Sequence, residues 1–341
     1  MNRNIKFYSV VFALFSLGVS AQVKDTLAEK IMIYQLPNGG WGKHTIDKKS
    51  VDYTKKLDSE SIKLIKKRGD DYATIDNNAT AREIITLVKA YQTTKNKNYL
   101  KSTEKGIQYL LSMQYENGGF PQYFPNTSMY RKQITYNDNA MINAMNILYK
   151  TANGLDGFEV IDESLKKKSV IAVEKGLQCI LKTQIIQNGV LSIWADQYNE
   201  ISLQPEKARA FEPVSLATSE SVEIVKFLME LPYNPEIEKS IRAAINWFDK
   251  SRILGYTYTV SRENGKAVRV LKKKEGSSVW ARFYDIPTNK PVFGDRDGSV
   301  KFNYEEVSEE RRTGYSWYNE AATKLIEKDF PKWLKKNNLK N

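Results

Sequence analysis

ITYNDNAMINAMNILYK, residues 134–150, sets Asp138 between two asparagines directly ahead of an apolar pattern at helical spacing. Met141, Met145 and Leu148 recur at steps of four and three, so a helix is expected from about Asn139. TIDNNATAREIITLVKAY, residues 74–91, repeats the arrangement, with Asp76 followed by Asn77 and Asn78. Asp138 can be read as an N-cap for the helix behind it, and the first turn in the same way through Asn77 or Asn78. Carboxylate and amide oxygens together also suit a hard cation such as calcium. The two readings are compatible, because one oxygen-rich turn can cap and ligate.

The same periodicity predicts helices over 81–94, 99–114, 139–152, 167–185, 219–231 and 235–251. Between them, YQLPNGGWGKH (34–44), MQYENGGFPQYFP (113–125) and TQIIQNGVLSIWADQYN (183–199) form a loose internal echo. Each passes from glutamine through Asn-Gly to aromatics. The intervals are unequal, which disfavours a solenoid and favours helical hairpins around an axis, a partial α/α toroid. Helix-end loops would then crowd one face and form a cleft. Trp41, Phe120, Tyr123 and Trp194 could line that cleft or pack between helix ends. Residues 45–72 read as a polar, mobile stretch. GYTYTVSRENGKAVRVLKKKEG reads as a β-hairpin turning near 263–265, and NEAATKLIEKDFPKWLKK returns to helix.

Composition narrows the chemistry. The first residues, MNRNIKFYSVVFALFSLGVSAQ, have the form of a secretory signal with cleavage after Ala21, leaving 22–341 as one exported, soluble module of two lobes. A secreted or periplasmic location and a monomer are expected. The single cysteine, Cys179, excludes an internal disulfide and reads as a buried small hydrophobe. The single histidine, His44, excludes a multi-histidine zinc site. A formal net charge of +12 favours an anionic partner. For an exported protein an acidic polysaccharide is the first choice, with no nucleic acid or membrane partner expected. Arg209 in KARAFEPVSLATSES can pair with Glu212, Arg282 with Asp285, and Arg296 with Asp295 or Asp297. Arginine's planar fork equally matches a uronate carboxylate.

TIDNNAT, NGGFPQYFP, ITYNDNAM, KARAFEPVSLATSES, WARFYD and FGDRDGSVKFNYEEVSEERRTGYSWY, taken in order, resemble the pectate lyases of polysaccharide lyase family 10, from about Ile31 to Trp333. The resemblance implies a mainly α, (α/α)3 partial toroid with short irregular β elements and long loops around a cleft. It also implies calcium-assisted β-elimination of polygalacturonate (pectate), giving unsaturated oligogalacturonides. Position by position, it makes Asp76 and Asp138 calcium ligands and Arg209 the catalytic base. Arg282 and Arg296 would hold substrate carboxylates, with Asn77 and Asn139 beside them. A guanidinium acting as base needs a lowered pKa, supplied by neighbouring cations, and an alkaline optimum. The chain departs from the family pattern at GGWGKH, where a proline is expected before the lysine, and at FEPVSL. Two rival readings remain open on the residues alone: a non-catalytic binder of acidic glycan, and an inverting glycoside hydrolase using two carboxylates.

Overall fold

The computed structural model describes residues 23–263 and 266–340. The expected signal segment and its cleavage point lie outside the described residues. Eight helices carry the architecture: α1 (Thr26–Tyr34), α2 (Ser59–Lys66), α3 (Ala81–Thr94), α4 (Lys97–Met113), α5 (Ala140–Asn153), α6 (Glu163–Thr183), α7 (Thr218–Glu230) and α8 (Pro235–Lys250). They pack as antiparallel pairs α3/α4, α5/α6 and α7/α8. The first member of each pair faces the axis, since α5 touches both α3 and α7, while α4 meets α6 on the outside. The chain is thus an α-rich partial toroid of three helical hairpins, with α1 packed on α3 and α4. One apolar core runs through it from Ala28 to Leu334.

The echo of loops has a physical meaning. Gln35, which ends α1, donates to the carbonyls of Gly39 in its own loop and Ser102 on α4. Gln114 does the same to Gly118 and Ala172 on α6, and Gln184 to Ser192 and Ser240 on α8. Each amide fastens a loop to the next outer helix, satisfying carbonyls that would otherwise be orphaned. Gly39 and Gly118 have φ of +94° and +89°, and a Cβ there would collide with the carbonyls of Lys105 and Lys175. Trp41 and Trp194 occupy equivalent places. Their indoles donate to Ile31 and Ile180, and their amides to the hydroxyls of Thr80 and Ser221. Trp41, Phe120 and Trp194 are buried packing residues, whereas Tyr123 is half-buried at the cleft.

One expectation changes. Within the supposedly irregular 45–72 stretch lies α2, whose N-cap Asp58 accepts from Ser61 and which buries Ile65 against α1. The hairpin is present as strands Ile253–Glu263 and Lys266–Ala281, paired from Ile253↔Val279 out to Glu263↔Lys266, with a bulge after Leu254. A third strand, Tyr318–Asn319, joins its inner edge, and the rest of the β structure is short. Cys179 is fully buried, and burial pushes its thiol up to about 12.

Candidate active site

The inner helices α3 and α5 each begin after a single 3-10 turn, Asp76–Asn78 and Asn137–Asn139, and these two turns touch. Neither aspartate is an N-cap. The cap positions fall to Thr80 and Asn139, and neither side chain closes a capping hydrogen bond. Instead the backbone is left-handed at Asn77 (φ +49°), Asn78 (+60°), Asp138 (+53°) and Asn139 (+59°). Asparagine and aspartate tolerate that region better than other side chains, which explains the composition of both turns. Strain of this sort is retained where it aims a functional group.

The two turns bring the Asp76 and Asp138 carboxyls near enough for the Asp76 charge to act on Asp138. Asp76 is buried, paired to Lys43 through one oxygen, while its other oxygen has no partner. Asp138 is pushed up to about 6 by burial, by the Asp76 charge and by Glu220, with Arg282 opposing. Helix amides behind both turns add favourable positive potential.

Glu220, in the first turn of α7, is the third acidic group at this end of the toroid. It accepts from Arg282 at 2.8 Å, and Arg282 also reaches Asn137 Oδ1 at 3.3 Å. Arg282 lies over the Tyr315 ring at 4.9 Å. Glu220 is buried and Arg282 half-buried, so the pair orients a cation toward Asp138 from a largely desolvated position. The Asp196 carbonyl accepts from the Tyr136 and Asn137 amides at 2.8 and 2.9 Å, fixing the second turn. Its carboxyl is raised far above the usual range by burial and by Glu212 and Glu220, and Asp196 Oδ2 has no partner.

Arg209 forms a two-bond fork with Glu212, Nε to Oε2 at 2.8 Å and Nη2 to Oε1. Glu212 is buried and also accepts from the Tyr315 hydroxyl at 3.2 Å. Burial alone would lower the Arg209 pKa, but the Glu212 hydrogen bonds and charge overcome it and raise the pKa. This reverses the expected lowering: the neighbour that decides is an anion. Arg296 is largely exposed and pairs with Glu310 at 3.0 Å, not with Asp295 or Asp297. Asp295 is occupied by the Ser308 amide and hydroxyl. Likewise Arg282 takes Glu220, not Asp285. Phe211 gathers Arg209, Arg296 and Arg311 around its ring, at 5.1, 5.6 and 4.8 Å.

Thus Asp76, Asp138, Arg209 and Arg282 converge: both arginines feel the Asp138 charge. Asn139 stands beside them half-buried, Asn77 is exposed, and Arg296 sits on the Phe211 rim. Lys43, Asn137, Glu212 and Glu220 are additional residues of the same cluster. Among the described residues no group of three or more His, Cys, Asp or Glu side chains forms a ready metal cage.

Comparison with known proteins gives the arrangement a family. A family model described as pectic acid lyase matches residues 35–326. The chain belongs to the pectic acid lyase family. Two solved structures of a family 10 polysaccharide lyase from Cellvibrio cellulosa are similar at 36% identity and a TM-score of 0.80. One is a mutant in complex with trigalacturonic acid, matched over 90% of this chain and 92% of that one. The other is matched over 90% and 91%. Comparison with curated proteins finds no match. The chain is therefore a lyase with pectate as the supported substrate class, and its toroid is that of family 10.

Proposed function

We propose that residues 22–341 form one exported catalytic module that cleaves polygalacturonate by calcium-assisted β-elimination. The observation that carries this reading is the convergence of two facing carboxyls with two arginines at the starts of the inner helices. Asp76 and Asp138 would hold the calcium. The fit rests on charge and on an orphaned atom. Carboxyls of Asp76, Asp138, Glu212 and Glu220 outnumber the cations Lys43, Arg209 and Arg282 in the cluster, and Asp76 Oδ1 is buried without a partner. A hard cation accepts few protein oxygens when substrate and water complete its shell. When bound, calcium supplies charge withdrawal from the uronate carboxylate, which acidifies the neighbouring C5–H.

The protein's own groups do the rest. Arg282, held by Glu220, and Arg296 orient substrate carboxylates. Arg209 takes the C5 proton as the C4–O bond breaks; a C4=C5 double bond forms, and the leaving oxygen takes a proton from water. Because Glu212 stabilises the protonated guanidinium, Arg209 must first leave that fork and lose its proton. The rate is therefore expected to rise far into the alkaline range.

Purified protein on polygalacturonate, with calcium and with a chelator, tests the reading. Ultraviolet absorbance that needs calcium supports it. New reducing ends without absorbance indicate hydrolysis, and binding without cleavage indicates a non-catalytic glycan binder. No helix among the described residues is long and apolar enough to cross a membrane.

A further inference from the structure

On the Asp76 flank of the two carboxyls, and sharing Asp76 and Lys43 as a wall, lies an open cavity of 650 Å³. Its far side is built from the first and second repeat loops and from the 3-10 turn Met129–Lys132. Lys43 is engaged by Asp76. Lys48 and Arg131 also line the space, and neither has a carboxylate partner among the described residues. The Arg131 guanidinium lies 4.7 Å from the centre of the Tyr123 ring, which holds it flat and leaves N–H groups to donate. Gln122 and Tyr123 both donate their amides to the Arg131 carbonyl, at 2.9 and 3.4 Å, so the loops bearing ring and cation are joined. His44 stands on the same wall and brings an imidazole to it.

This is also where the sequence departs from the family pattern. Gly42 stands where a proline is expected, and a Cβ at 42 would lie 2.8 Å from the Tyr72 carbonyl and 3.2 Å from Arg68 Nη1. Having no side chain there lets the Lys43–Lys48 loop close onto Tyr72, another residue of the cavity wall.

We propose that this cavity is a distal uronate subsite, in which Arg131 and Lys48 take a carboxylate of the bound polymer beyond the ring at Asp76 and Asp138. The proposal rests on the polygalacturonate reading. Its chemistry is that of a planar guanidinium and an ammonium meeting one anionic sugar, with Tyr123 offering an aromatic edge to the ring. The subsite adds affinity only to chains long enough to reach it.

The test is initial rates of unsaturated product for wild type and Arg131→Ala on galacturonate oligomers of increasing length and on polygalacturonate. Without the distal guanidinium, KM rises about tenfold for polymer and long oligomers. The shortest cleaved oligomer keeps its wild-type KM, and kcat is unchanged throughout. An unchanged KM for polymer, or an equal rise at every length, overturns the subsite. Should Arg131→Ala not fold, judged by thermal unfolding, Lys48→Ala is read the same way. If wild type forms no unsaturated product, the lyase reading fails instead. Calorimetric binding of polygalacturonate to wild type and Arg131→Ala then still decides the subsite, because loss of affinity upholds it and equal affinity overturns it.

Discussion

The turn at Asp76 and the turn at Asp138 are near copies in sequence and in left-handed backbone, yet their surroundings differ. The first faces a lysine, and Lys43 takes one oxygen of its carboxylate. The second faces acids, Asp76 and Glu220, opposed chiefly by Arg282, and its carboxyl is pushed up to about 6. The aspartate opens the first turn and sits left-handed in the middle of the second, so similar turns present their carboxyls to different neighbours across the cleft.

Breaking the side of the second turn, where both arginines stand, should have the largest effect. Arg209→Ala is expected to lower kcat by about 10²–10⁴-fold, the range of a positioned base, with Arg209→Lys nearly as poor. Turnover near wild type in steady-state assays of Arg209→Ala would remove it from the chemistry. Glu220→Ala leaves the largely desolvated Arg282 without its carboxylate. A stability loss of about 3–5 kcal/mol is expected in denaturant titrations.

Asp138→Asn removes the raised carboxyl. The sign follows from its elevated folded pKa: the folded chain holds the proton more tightly than the unfolded chain. Wild-type stability without calcium therefore falls as pH rises from about 4 to about 6. Asp138→Asn should melt roughly 2–4 °C higher than wild type at pH 8 without calcium, and lose the melting gain that calcium gives wild type. A calcium-dependent gain retained in Asp138→Asn would argue against this ligand. Lys43→Met makes the two turns more alike but leaves the buried Asp76 carboxylate without its cation, so a stability loss like that of Glu220→Ala is expected with it. With one cation fewer, the pH window over which stability declines should extend upward by less than about one unit in pH-dependent melting.

Much of this is legible in the sequence, for identifiable reasons. Helices α3 to α8 announce themselves because each buries a stripe at helical spacing. The Asp-Asn turns stand out because left-handed backbone selects those residues. The helix α2 is hidden: its eight residues carry two lysines and bury one isoleucine. For Arg282 and Arg296 the nearby aspartates are the visible partners, while the true ones lie 62 and 14 residues away. Glu212 is visible beside Arg209, but its burial is not, and burial is what reverses the expected pKa shift. One signal for Glu220 is available. SLATSES follows the third Asn-Gly loop and opens the third inner helix, where the first two units place Asp76 and Asp138.

The glutamine clamps give those three units a common stitch made almost wholly to backbone carbonyls. A joint of that sort is indifferent to the cargo on the loop it holds. Under the same clamp the heads of the inner helices carry different acids, Asp76 and Asp138 beside each other and Glu220 cradling an arginine.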